Sequence, residues 1–134
     1  MAKDQPAPIA AWHAYVAADD PALLDAMLHD EVVFESPVVH TPQRGKAITM
    51  AYLRSAAQVL GTPSFRYLNE WYAERSAILE FACEMDGVKV NGVDMIFWDE
   101  HDKVTHFKVM VRPLKAVNHL HQKMGEALAA KAAG

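Results

Sequence analysis

A single cysteine, Cys83, stands in a chain of 134 residues, so no internal disulfide can form. The lone thiol fits a reducing cytoplasm, and its place in the apolar run AILEFACEM marks a buried, inert side chain rather than a nucleophile. No apolar run approaches the roughly 18 residues that cross a bilayer, so no membrane partner is expected. The opening MAKDQPAPIAAW lacks the long apolar core of a secretory signal, which again points to the cytoplasm. Basic charge is scarce and scattered. There are 13 Lys and Arg against 17 Asp and Glu, for a net charge of -4, which argues against nucleic acid as a partner. Chelating patterns are also missing. His119 and His121 sit two apart on an expected helix and face different directions, and no His-x3-His or His-x3-Glu pair falls on an inward face, so neither a metal nor a cofactor is expected. No repeat and no domain linker interrupts the sequence, and residues 1–134 read as one domain.

What is present supports a real core, with 51% hydrophobic and 22% charged residues. Met1 to Ala7 is Pro- and Ala-rich and reads as loose. Ile9, Trp12, Tyr15 and Val16 have helical spacing over Pro8 to Ala18. Asp20 can cap a second helix with Pro21 in its first turn, where a missing N–H costs nothing. Leu23, Leu24, Met27 and Leu28 then share one face. Glu31 to Ser36 is a short strand, Pro37 to Arg44 a loop holding His40, and Gly45 to Leu60 a third helix. Phe65 to Ala73 and Ala77 to Met85 read as strands, and Asp86-Gly87 is a hairpin turn into the next strand pair. After Pro113 a last helix runs to about Ala132. Segregated helices and antiparallel strands mean an α+β fold.

The strand pair from Val88 to Pro113 carries the most informative residue. Successive side chains in a strand alternate sides, so Val90, Gly92, Asp94, Ile96 and Trp98 share one face. Phe107, Val109 and Val111 form an unbroken apolar face on the second strand. Asp94 alone breaks the apolar row. Two readings of it stand. In one it is a buried acid with a raised pKa that donates to a ligand carbonyl or shuttles a proton. In the other it is a carboxylate tied to Trp12 or Tyr15 that fixes the first helix on the sheet.

Several pieces in order resemble the NTF2-like superfamily, in its SnoaL-like and ketosteroid-isomerase-like branch. They are Trp12, Asp20 through Leu28, FESPVV (Phe34 to Val39), Arg44-Gly45-Lys46, VNGVDMIFWDEHDKV (Val90 to Val104) and VRPLKAV (Val111 to Val117). The resemblance implies a cone, a strongly curved antiparallel sheet wrapped by about four helices around an apolar pocket, and a homodimer formed through the sheet's outer face. With strand parity it places Leu79, Phe81, Cys83, Asp94, Ile96, Phe107, Val109 and Val111 on the pocket wall. Trp12, Tyr15, Phe34, Ser36, Met50 and Leu53 would close the pocket from the helical side, with His40 near its mouth.

The resemblance also carries chemistry, residue by residue. Ketosteroid isomerase uses an aspartate base together with a tyrosine and a protonated aspartic acid that hold the enolate oxygen. Asp94 matches the protonated acid. Ser36, before Pro37-Val38, stands where the base would be, and a serine hydroxyl cannot serve as that base unaided. The tyrosine position falls on Trp12 or Tyr15. Limonene-epoxide-hydrolase relatives need an Arg between two Asp, and the inward strand positions offer none beside Asp94. The expectation is therefore a pocket for a small apolar molecule bearing a carbonyl or hydroxyl. Asp94 and Tyr15 are the catalytic candidates. Trp12, Phe34, Ser36, His40, Met50, Leu53, Phe81, Ile96, Phe107 and Val109 are the ligand-binding ones. A non-catalytic module that associates through its sheet is the competing expectation.

Overall fold

The computed structural model describes residues 4–133. Helix α1 (Ala7–Ala18) starts behind Pro6 and ends at Asp19, whose left-handed backbone lets its N–H reach the Tyr15 carbonyl. Asp20 then caps α2 (Pro21–Met27), its Oδ1 accepting the Ala22 N–H at 3.0 Å. Of the expected loose N-terminal segment, residues 1–3 lie outside the described residues, and Ala7 already belongs to α1.

Strand β1 (Leu28–Glu35) follows without a break, three residues earlier than its sequence signals. The reason is tertiary. Lys46 Nζ donates to the Asp25 carbonyl at 3.0 Å and Lys103 Nζ to the Ala26 carbonyl at 2.5 Å, satisfying the end of α2. Leu28 is thereby released into the sheet, where it is buried and pairs with Val104. Strand β2 (Gln43–Arg44), which falls inside the expected loop, pairs with Val33 and Phe34; two residues beside a proline carry no periodic signal.

Helix α3 (Lys46–Leu60) leads to β3 (Arg66–Tyr72), β4 (Ser76–Met85), β5 (Val88–Trp98), β6 (Val104–Arg112) and α4 (Leu114–Ala133). The six strands lie in the order β2-β1-β6-β5-β4-β3. The four long strands are antiparallel as expected, but β1 runs parallel to β6, so the sheet is mixed. Its two ends, β2 and β3, do not meet.

Two local devices set the sheet's shape. Asp86 and Gly87 both have positive φ (50° and 80°), the two-residue turn whose twist matches the strands it joins. At Gly92 an added Cβ would lie 2.5 Å from Phe81 Cζ and 2.7 Å from the Met110 carbonyl oxygen, so only glycine lets the Phe81 ring lie across β5. The inner face of the sheet, with Leu79, Phe81, Cys83, Val90, Ile96, Phe107 and Val109, packs against Ile9, Trp12 and Tyr15 of α1, Leu53 of α3 and Leu120 of α4 in one core. The fold is thus the expected α+β arrangement of helices laid over one face of a sheet.

Candidate functional site

A cavity of about 280 Å³ remains between the inner face of the sheet and the helices α1, α3 and α4. Its floor is aromatic. Phe34, Phe81 and Phe107 are all buried, and the Trp12 ring sits over Phe107 with centroids 4.8 Å apart. The residues that open to solvent, Val16 and Asp19 of the α1 end and Ala57, Gln58 and Gly61 of the α3 end, define the mouth.

Asp94 lies on the floor, opposite Leu79 on one side and Val109 on the other, and is only 6% exposed. Its hydrogen bonding has a fixed direction. The indole N–H of Trp12 can only donate, and it donates to Tyr67 Oη at 2.8 Å. The Tyr67 hydroxyl in turn donates to Asp94 Oδ2 at 2.8 Å. Burial pushes the Asp94 carboxyl up to about 7, and the Tyr67 bond, which favours the charged form, only moderates that rise. Because Oδ2 already accepts from Tyr67, the proton of the neutral acid resides on Oδ1. The neutral side chain is then a donor held in an apolar hollow. Burial also raises Tyr67 well above the ordinary tyrosine range, with the neighbouring Asp94 charge adding to the effect, so Tyr67 stays a neutral donor.

Tyr15 is buried beside this group, its ring centroid 5.3 Å from that of Trp12, and its hydroxyl is turned away from Asp94. Its hydroxyl faces the mouth, 3.5 Å from Arg54 Nη1. The same guanidinium nitrogen donates to Asp19 Oδ1 at 2.9 Å and to the Asp19 carbonyl at 3.4 Å. The cavity therefore has an ionisable group on its floor, poised near neutrality, and a charged rim.

Of the residues expected around the pocket, Trp12, Tyr15, Phe34, Ser36, Leu53, Phe81, Asp94, Phe107 and Val109 line it. Six do not. Leu79, Cys83 and Ile96 are buried in the core, and Met50 and Val111 are half-buried against it. His40 is exposed after β1 beside a second, shallower cleft with Glu35 and Lys108. Ser36 Oγ accepts the Val38 N–H at 3.1 Å, a local turn contact. The tie between Asp94 and α1 is real, but it runs through Tyr67 and ends at Trp12.

Tyr67 and Arg54 are the residues that sequence reasoning missed. Tyr67 pairs with Phe81 across β3 and β4, so the strand register carries the signal, but a bulge between Tyr67 and Asn69 hides it from simple alternation. Arg54 reaches the cavity from α3, where strand alternation carries no signal.

The sequence profile of the SnoaL-like domain matches residues 9–107. The chain belongs to the SnoaL-like family. No curated protein matches it in sequence. Among solved structures, this SnoaL-like chain is similar to a steroid delta-isomerase from Pseudomonas aeruginosa, with 32% identity, a TM-score of 0.90, and coverage of 96% of this chain and 93% of that one. It is also similar to an uncharacterized protein with a cystatin-like fold from Silicibacter pomeroyi, at 29% identity and a TM-score of 0.80, covering 93% of this chain and 84% of that one. A putative polyketide cyclase from Sinorhizobium meliloti shares the fold at 11% identity, with a TM-score of 0.64, covering 80% of this chain and 96% of that one.

Proposed function

We propose that this SnoaL-like chain binds a small, mainly apolar molecule carrying a carbonyl or hydroxyl, and that it performs acid/base chemistry of the isomerase or cyclase type without a cofactor. The observation that carries the reading is the Asp94 carboxyl, buried in an aromatic cavity and oriented through Oδ2 by Tyr67. A neutral Asp94 donates its Oδ1 proton to the ligand oxygen and stabilises negative charge as it develops there. Its position near neutrality lets the same carboxyl give and retake a proton at working pH. Tyr67 acts on the carboxyl as a positioning residue, and Trp12 fixes Tyr67 in turn. The likeness to a steroid delta-isomerase supports this class of chemistry. Ser36 in the base position argues against the same substrate. Fluorescence titration with 2-naphthol tests the reading, because its hydroxyl offers an acceptor oxygen on an apolar body. Asp94→Leu is expected to weaken binding by about tenfold, the loss of one hydrogen bond to the ligand oxygen. Equal binding to both proteins would remove Asp94 from the site.

A second reading concerns association. On the outer face, Trp71 and Met110 are 55% and 49% exposed, and Ile78, Val93, Met95 and Phe97 are half-buried beside them. An apolar sheet face of this kind supports a homodimer. Sedimentation of the native chain against Trp71→Lys reads it directly, with a monomeric native chain as the contrary result.

A further inference from the structure

The mouth of the cavity carries a group that the floor chemistry does not use. Arg54 is the only Lys, Arg or His among the described residues that line the cavity, and its side chain is 27% exposed. All three of its hydrogen bonds leave from Nη1, to Tyr15 Oη, the Asp19 carbonyl and Asp19 Oδ1. Only the last, at 2.9 Å, is short. Nε and Nη2 have no partner among the described residues, so a planar fork suited to a carboxylate keeps most of its donors unused. The residue holding it is itself a carboxylate on a side chain that is 73% exposed, so solvent and a competing anion can both reach the pair.

A purely structural role for Arg54, closing the end of α1, explains the Nη1 contacts. It leaves Nε and Nη2 unused. We propose that Arg54 is an anion-binding residue at the mouth of the cavity, and that the ligand is a small monocarboxylate whose carbonyl or hydroxyl oxygen lies at the opposite, Asp94 end. This rests on the reading of the cavity given above and adds the ligand's second functional group. One cation matches one negative charge. A dianion such as a phosphate ester would meet the Asp19 carboxylate without a second cation to offset it. The ligand's carboxylate takes the unused Nε and Nη2 side of the guanidinium, and the Asp19 carboxylate on Nη1 competes with it for the same charge.

The experiment compares 6-hydroxy-2-naphthoate with 2-naphthol, which share body and hydroxyl and differ in the carboxylate. The native chain is expected to prefer the hydroxynaphthoate by about tenfold, the value of one charge-assisted pair at a partly wet rim. Arg54→Gln is expected to abolish that preference while leaving 2-naphthol binding unchanged. Asp19→Asn, which removes the competing carboxylate, is expected to enlarge it. A preference that survives Arg54→Gln, or one that Asp19→Asn diminishes, overturns the inference. So does an equal loss of both ligands in Arg54→Gln, which would assign Arg54 to structure alone. If 2-naphthol binds in an Asp94-dependent way but the carboxylate adds nothing, this inference falls and the reading of the floor stands. If neither ligand binds, both fall.

Discussion

Replacing Asp94 by Asn should make the protein more stable as pH rises, and the size of the gain follows from where the carboxyl sits. Burial lifts Asp94 from the ordinary value of 3.8 to about 7. Between those two values the folded chain holds a proton that the unfolded chain has released. Stability then falls with rising pH, by about 1.4 kcal/mol for each pH unit. Across the whole window the loss is about 4 kcal/mol, complete once the pH exceeds about 7. Below 3.8 both states are protonated and the penalty is absent. Asparagine keeps the shape and can still accept from Tyr67 through its amide oxygen, but it cannot ionise. Urea denaturation of both proteins at a series of pH values, followed by circular dichroism, isolates the term. The surface carboxylates held low by their partners, such as Glu35 beside His106 and Asp86 beside His119, lose stability in the opposite direction, as acid protonates them. They are common to both proteins and cancel in the difference. The stability difference should therefore climb by about 4 kcal/mol between acid and neutral pH and then level off. A difference that stays flat would mean that Asp94 is an ordinary ionised carboxylate, and the reasoning about the floor of the cavity would fail.

Other substitutions probe the rest of the arrangement. Tyr67→Phe leaves the Trp12 indole N–H and Asp94 Oδ2 without their shared partner, which should cost about 3 kcal/mol in urea denaturation. It should also move the Asp94 titration upward, since the bond it removes favours the charged form; unchanged stability and titration would contradict the chain of bonds described here. Gly92→Ala drives a Cβ against the Met110 carbonyl and the Phe81 ring, with an expected loss of about 3 kcal/mol, and a melting temperature equal to the native one would show that β5 has room to spare.

Much of the fold was legible because its signals are local. Asp20-Pro21 starts α2, Asp86-Gly87 turns β4 into β5, and the alternation from Val90 to Trp98 places Asp94 inside. The elements that sequence missed depend on distant residues. The early start of β1 is set by Lys46 and Lys103, which end α2 from 21 and 77 residues away, and β2 exists only as a partner for β1. The site divides in the same way. Single-strand parity found the floor, with Phe81, Asp94, Phe107 and Val109. It could not find Tyr67, which needs the β3–β4 register across a bulge, or Arg54, which needs the packing of α3 over the cavity. Tyr15 has the residue type expected of a donor to Asp94, but its hydroxyl points to Arg54, and the donor comes from the sheet instead.

The most direct test of the central claim is a carbon-13 NMR titration of the Asp94 side-chain carboxyl, with and without 2-naphthol. A neutral acid donating into the cavity predicts a midpoint near 7 in the free protein, and a rise in that midpoint when the ligand oxygen accepts the Oδ1 proton. A midpoint in the ordinary carboxylate range, or one that the ligand leaves unmoved, would contradict it.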